Sequence, residues 1–342
     1  MAPSAVDPTS DASLDPTVAA LRKTLCSETA PLAQRFRSLF SLKHLASQSP
    51  PTAQTTLAID AIAAAFASPS ALLKHELAYC LGQTRNLYSA PYLRKVLEDR
   101  QEDAMCRHEA AEALGALGDE GSLELLKSRR DDVSEEEVVR ETCDIAVERI
   151  EWEHGSQRQA ERLKQSDFAS VDPAPPMPLK GSTEIQSDIE ELEKTLLDAR
   201  LPLFQRYRAM FALRDLASPP DLPTAVPAVH ALAKGFWDKS ALFRHEIAFV
   251  FGQLSHPAAI PSLVETLSDM KEASMVRHEA AEALGSLGEE EGVEDVLKKF
   301  LNDPEQVVRE SVIVALDMAE YEKSGEAEYA IIPDSTTIET SA

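Results

Sequence analysis

Four His–Glu dipeptides stand in phase along this chain: His75-Glu76, His108-Glu109, His245-Glu246 and His278-Glu279. Within each pair the dipeptides are 33 residues apart, and the two pairs are 170 residues apart. Imidazole and carboxylate together make ligand sets for iron, manganese or zinc. Two histidines and one carboxylate per ion leave coordination positions open, the pattern by which non-haem iron activates dioxygen. A lone His–Glu is ordinarily a hydrogen-bonded surface pair. Four in register are more than packing alone requires.

The text around them is helical and repeated. Arg107 to Gly115 recurs letter for letter at Arg277 to Gly285, and Met105–Gly118 agrees with Met275–Gly288 at 12 of 14 positions. Ala, Leu and Glu are abundant and glycine is scarce at 12, which favours helix over sheet. A basic residue opens each apolar-periodic segment: Arg37, Lys74, Arg107 and Arg140, then Arg208, Arg244, Arg277 and Arg309. The steps are 37, 33 and 33, then 36, 33 and 32 residues. A period in the thirties with helix-turn-helix content marks an α-solenoid. The strings resemble short HEAT repeats, four in each half. The expected fold is all-α: eight helical-hairpin repeats in two pseudo-symmetric halves, residues 16–153 and 185–321. Residues 154–184 read as a Pro-containing linker, in which the run Asp172-Pro173-Ala174-Pro175-Pro176-Met177-Pro178 cannot be helix. Residues 1–15 and 322–342 read as disordered tails.

On a helical wheel with His108 at the origin, Ala113, Leu117, Ala110 and Leu114 fall in an arc from about 140° to about 240°. His108, Glu109 and Glu112 lie on the other side. The small apolar face packs on a neighbouring helix, and the polar face points into the concave side of the solenoid. Only the two central repeats of each half carry His–Glu. The same four carry a glycine seven residues after the histidine: Gly82, Gly115, Gly252 and Gly285. The outer repeats have Leu45, Glu148, Leu216 and Asp317 there. Such a glycine ends the helix or clears room above the imidazole; the sequence leaves both open.

Inner helices of adjacent repeats pack about 8–10 Å apart. His75 and His108 can therefore share an ion, with Glu109 or Glu76 beside them. His245 and His278, with Glu279 or Glu246, can hold a second. In one continuous solenoid the two ions would lie roughly 40–50 Å apart. A linker of about 30 residues spans up to roughly 100 Å, so the halves can face each other and bring the ions into one dinuclear centre, with metals typically about 3.5–4 Å apart.

Several functions are disfavoured. The net charge of -24 argues against nucleic-acid binding, which needs clustered Lys and Arg. No stretch approaches 18 consecutive apolar residues, so no membrane span is expected. No secretory or mitochondrial leader is evident, and a cytoplasmic, monomeric protein is the expectation. Cys26, Cys80, Cys106 and Cys143 form no CxxC pair. Tyr79, Glu112, Phe249 and Glu282 occupy the positions that a zincin HExxH motif gives to its second histidine. Glu112 and Glu282 are expected to pair with arginines of neighbouring repeats. The arginine ladder and the buried-looking Cys80 and Cys106 read as architecture, and His44, His154, His230 and His256 as local residues. Two other functions use the same residues: a non-catalytic acidic HEAT scaffold for a basic partner, and a dinuclear zinc or manganese hydrolase.

The two four-repeat halves with all four His–Glu dipeptides in place strongly resemble the deoxyhypusine hydroxylase family. The resemblance covers residues of about 16–152 and 185–321. It implies a monooxygenase with two Fe2+ ions that uses dioxygen to hydroxylate the deoxyhypusine side chain of eukaryotic translation initiation factor 5A, giving hypusine. It implies that His75, His108 and Glu109 bind one iron, and His245, His278 and Glu279 the other. Glu76 and Glu246 are implied as catalytic residues, either as further ligands or as carboxylates gripping the substrate amines.

Overall fold

The structure, a computed structural model, describes residues 15–161, 167–179 and 185–324. Both expected tails and part of the linker lie outside these residues, apart from a few residues at the inner edge of each tail. Among the described residues there are seventeen α-helices and no strand. The first half is built of α1 (Pro16–Leu25), α2 (Leu32–Ala46), α3 (Ala53–Ala64), α4 (Ala71–Gln83), α5 (Ala90–Glu98), α6 (Ala104–Ala116), α7 (Leu123–Asp131) and α8 (Glu137–His154). A short α9 (Ser156–Ala160) follows. The second half is α10 (Ile185–Leu197), α11 (Leu203–Leu216), α12 (Ala225–Ala233), α13 (Ala241–Leu254), α14 (Ile260–Ser268), α15 (Ser274–Gly285), α16 (Val293–Lys298) and α17 (Gln306–Ser324). These pair into eight hairpins, with α2, α4, α6 and α8 and then α11, α13, α15 and α17 as inner helices.

Local sequence starts the helices. Prolines occupy the first turn of α1, α5 and α14, where a missing N–H costs nothing. Side chains of Asp15, Thr52, Ser70, Asp103 and Ser240 accept from the free N–H groups of α1, α3, α4, α6 and α13. The basic ladder bonds forward. Lys74 meets Glu102 at 2.5 Å, Arg107 meets Glu135, Arg244 meets Glu272 at 2.6 Å, and Arg277 meets Asp303 at 2.5 Å. Each carboxylate lies in the approach to the next inner helix, so one charge pair sets the step between repeats.

The ladder changes its partners at the ends of the halves. Arg37 of α2 grips Asp317 of α17 at 2.8 and 3.0 Å. The first and last inner helices therefore meet, and α8 likewise packs on α11. The halves face each other across a pseudo-two-fold axis. Ser70, which caps α4, also donates to Glu310 of α17 at 2.7 Å; its counterpart Ser240, which caps α13, donates to Glu141 of α8 at 2.7 Å. Each half has its own apolar core, and the cores interlock through an equivalent pair. Ile145 of α8 is buried in the second core and Val314 of α17 in the first. Burying each side chain contributes about 1.5–3 kcal/mol to the joint.

The glycines of the central repeats have a role that neither sequence reading supplied. A Cβ at Gly82 would lie 2.8 Å from Cα of Ala113 on the next inner helix; at Gly285 it would lie 2.8 Å from Cα of Ala315. Backbone meets backbone there, and only glycine permits it. Gly82, Gly115 and Gly285 draw neighbouring inner helices together, whereas at Gly252 a Cβ would make an ordinary contact at 3.4 Å.

Helix α8 runs to His154 and the short α9 follows, ahead of the proline run. Residues 167–179 lie across the C-terminal ends of the inner helices as a strap. Gln83 of α4 bonds the main chain of Val171 at 2.7 and 3.2 Å, and Gln253 of α13 donates to Ser170 at 2.9 Å. Asp172 takes two 2.8 Å bonds from the buried Arg214, and Arg208 donates to the carbonyl of Pro175 at 3.0 Å. No helix among the described residues is long and apolar enough to cross a membrane.

Candidate metal centre

His75 and His108 stand in the second turns of α4 and α6, and His245 and His278 in those of α13 and α15. The glycine-tightened spacing and the face-to-face halves bring all four together. Ring centroids of His75 and His108 are 5.3 Å apart, and those of His245 and His278 also 5.3 Å. Between halves, His75 lies 5.3 Å from His278 and 5.7 Å from His245, and His108 lies 5.4 Å from His245. Contacts across the axis are as close as contacts within a half. His108 and His278 are wholly enclosed.

The carboxylates complete the enclosure. Glu109 reaches to 3.3 Å from Nε2 of His75, and Glu279 to 3.4 Å from Nε2 of His245. Among the described residues neither Nε2 has a hydrogen-bond partner. Ligand atoms of His75, His108 and Glu109 lie within 4.8 Å of one another, as do those of His75, His245 and His278. A further such group is His278, Glu279 and Glu282. The trio His75, His108 and Glu109 thus comes together as a unit. His245, His278 and Glu279 are neighbours, but the tight groups around His278 draw in His75 from the other half or Glu282. Facing halves merge two expected trios into one cluster.

Glu112 and Glu282 depart from the arginine pairing expected of them. Glu282 accepts from Ser311 at 2.9 Å and lies 3.5 Å from Nδ1 of His278. Glu112 faces Glu246 from the other half. The signal was present in the spacing, since each stands four residues after a histidine and so on the same helix face. The other sequence residues are where local structure needs them. Nδ1 of His256 accepts from the N–H of Ala258, and Cys80 and Cys106 are buried in the core.

Six carboxylates, Glu76, Glu109, Glu112, Glu246, Glu279 and Glu282, share this space with the four imidazoles. Burial, reinforced by Glu279 and Glu109, pushes Glu76 up to about 7 against the pull of His75. Burial raises Glu246 well above the carboxylate range, with Glu109, Asp172 and Glu279 adding to it and Arg214 opposing. Glu112 and Glu282 are raised for the same reasons. Burial leaves His108 and His278 well below the usual histidine value, helped by the neighbouring rings. At His75 burial is outweighed by Glu109, Glu76 and Glu279, which raise it to about 9. The enclosure thus crowds carboxylates that burial and mutual repulsion keep from ionising, and a bound cation would relieve that repulsion.

The donor atoms fit metal ions. Among the described residues, seven ring nitrogens of the four histidines are buried without a hydrogen-bond partner, as is Oε1 of Glu246. An unsatisfied buried polar atom costs about 1–3 kcal/mol, so the seven together rival the whole stability of a domain, about 5–15 kcal/mol. Packing gives no return for that arrangement, whereas coordination does. Neutral imidazole and carboxylate are the donor set of non-haem iron, zinc and manganese.

Fold and site together define a closed HEAT-repeat protein built around a histidine–carboxylate cluster. The family profile for HEAT repeats matches residues 59–146 and 227–317. Deoxyhypusine hydroxylase of Phaeosphaeria nodorum is 76% identical over 324 residues, spanning 95% of this chain and 98% of that protein. That of Neurospora crassa is 70% identical, spanning 93% and 97%. The solved structure of human deoxyhypusine hydroxylase in complex with glycerol is similar with a TM-score of 0.77 at 45% identity, over 89% of this chain and 96% of that one. The chain belongs to the deoxyhypusine hydroxylase family and is an enzyme, a hydroxylase.

Proposed function

We propose that this enzyme hydroxylates the deoxyhypusine side chain of eukaryotic translation initiation factor 5A, with dioxygen and two Fe2+ ions per chain, acting as a monomer in the cytoplasm. The observation that carries the metal reading is the set of seven unpartnered imidazole nitrogens gathered about one axis. The relatives' shared name supports the substrate. A carbon–hydrogen bond yields to no side-chain acid, base or nucleophile, and iron supplies the reductive activation of dioxygen that the reaction needs.

The remaining work falls to this chain's residues. His75, His108 and Glu109 would hold one iron, and His245, His278 and Glu279 the other. His75 and His245 face each other across the axis, so both halves are needed for either ion to act. Glu76 and Glu246 stand beside the cluster, where carboxylates attract the two amines of a deoxyhypusine side chain. The strap closes the C-terminal side of the inner helices, and buried Leu72 and Leu242 line the turn before His75 and His245. Water is thereby kept from the reacting carbon, and electrostatic contacts inside are strengthened.

A direct test is to load the purified protein with Fe2+, measure iron per chain, and incubate it with deoxyhypusine-bearing initiation factor 5A under air and under nitrogen. Mass spectrometry should find one added oxygen under air only, with about two irons per chain. Product formed without oxygen would replace this reading by a hydrolase. A folded protein that takes up no metal would replace it by a scaffold.

A further inference from the structure

We propose that the loops leading into α6, α8, α13 and α15 form the docking face for the protein substrate, with Trp237 as its anchor, and that the partner is positively charged around the side chain to be hydroxylated. This rests on the reading above for the identity of the partner and adds where it binds. The approach to the cluster is one-sided. The strap crosses the C-terminal ends of the inner helices. At their N-terminal ends a cleft of about 480 Å3 lies between the halves, walled by Leu72, Met105, Val138, Met275 and Val307. Leu72, Met105 and Met275 each stand three residues before a histidine of the cluster. The cleft therefore lies one helical turn, about 5.4 Å, outside the imidazoles.

The side chains that folding leaves most exposed stand on this face. Among the described residues, Trp237 is 88% exposed, Val133 86% and Met270 57%, the three largest values for large apolar side chains. They belong to the turns ahead of α13, α8 and α15. An indole in water contributes nothing to the core, and Trp is enriched among the residues that carry binding energy at interfaces. The three turns are tied into one rim. Ser240, at the start of α13, donates to Glu141 of α8 at 2.7 Å. Arg244 of α13 donates to the carbonyl of Asp238, next to Trp237, and to Glu272, two residues after Met270, each at 2.6 Å. A rim held by such bonds is already ordered, so docking on it costs little entropy.

Charge decides the kind of partner. Residues 99–103, 132–136, 238–240 and 269–273, the loops of this rim, carry nine acidic and three basic side chains. Beside Trp237 a cavity of about 290 Å3 is lined by Glu265, Asp269 and Glu272. Glu272 is engaged by Arg244 at 2.6 Å, and the exposed Glu265 and Asp269 face the same space. A lysine or arginine of the partner laid on the indole face would reach these carboxylates. The same field steers a cationic protein towards the cleft and repels an acidic one. On the opposite side Leu87, 56% exposed, follows the C-terminal end of α4 beside the strap and serves as the control.

The test uses the iron-loaded full chain labelled with 5-fluorotryptophan. Trp152 and Trp237 are its two tryptophans, so fluorine NMR gives two resonances, assigned with Trp237→Phe. Deoxyhypusine-bearing initiation factor 5A added under nitrogen should shift the Trp237 resonance, and a short peptide with the same side chain should leave it in place. Trp237→Ala and Val133→Lys should each raise KM for the whole protein about tenfold or more, the loss of an interface hot spot, with kcat within about twofold. Leu87→Lys should change neither. The surface is overturned if the resonance stays still at saturating partner, or if Leu87→Lys raises KM in place of Val133→Lys. A resonance that moves with enzyme concentration alone overturns it too, because the patch then joins two copies of this chain. Failure of the parent reading looks different. Hydroxylation with KM unchanged in Trp237→Ala removes the surface and keeps the reaction. A partner-dependent Trp237 shift in a protein that hydroxylates nothing keeps the surface and removes the reaction.

Discussion

His75 of the first half lies 5.3 Å, ring centre to ring centre, from His278 of the second, the same distance as from His108 two helices along its own half. The centre therefore belongs to neither half. His75→Ala and His245→Ala, made separately, should each reduce hydroxylation by more than about a hundredfold, a loss on the scale seen when a metal centre's ligands or their supporting shell are removed. Half activity in either variant would show two independent sites. Iron per chain, measured beside activity, distinguishes a lost ion from a misplaced one.

The raised His75 gives the metal-free protein a signature in pH. The folded value is about 9, against about 6.5 for an exposed histidine. Protonated His75 therefore stabilises the fold fully below about 6.5, and that contribution is lost as pH rises towards 9. Metal-free protein should lose on the order of a few kcal/mol of unfolding free energy from this group across that window. Loaded protein, with the nitrogen coordinated, should not show this slope, and iron uptake near neutral pH should release a proton. Denaturant titrations at several pH values check the first outcome, and a weakly buffered iron titration checks the second.

Glycine spacing predicts unequal effects at equivalent positions. Alanine at Gly82 would put a Cβ 2.8 Å from the backbone of Ala113, while at Gly252 the nearest atom, Cα of Ala283, is at 3.4 Å. Gly82→Ala should destabilise by about 1–3 kcal/mol through overpacking. It should also lower iron affinity, because it separates the helices of His75 and His108. Gly252→Ala should be neutral or slightly stabilising, as alanine favours helix by about 1 kcal/mol. Chemical denaturation with iron analysis compares the two.

The strap is expected to matter for stability out of proportion to its size. Asp172→Ala removes two 2.8 Å bonds from the fully buried Arg214 and leaves Asp215 and Gln253 as its partners. The cost should be about 1–3 kcal/mol. Limited proteolysis should then cut faster between α9 and α10, where the strap has lost its main anchor.

Much of this was legible in one dimension. Repeat length, helix type and the eight hairpins follow from apolar periodicity and the spaced basic residues, because those are local demands of a helix that must bury one face. The His–Glu set stood out because four of eight repeats omit it, together with the glycine. Glu282 was misread because an arginine partner is the common fate of a glutamate on a repeat surface. Its actual neighbours, Ser311 and His278, come from the next inner helix and from its own helix one turn back. The glycines were misread because their purpose lies in Ala113 and Ala315 on the following helices.

The sequence by itself determined which residues have ligand chemistry and on which helix face each would stand, since a 3.6-residue turn ties spacing to direction. Only the tertiary structure decided what they make together. Arg37 with Asp317, Ser70 with Glu310 and Ser240 with Glu141 join residues 280, 240 and 99 positions apart, and no periodicity records such contacts. Those ties close two half-solenoids onto each other, turning two His–His–Glu sets into one buried cluster.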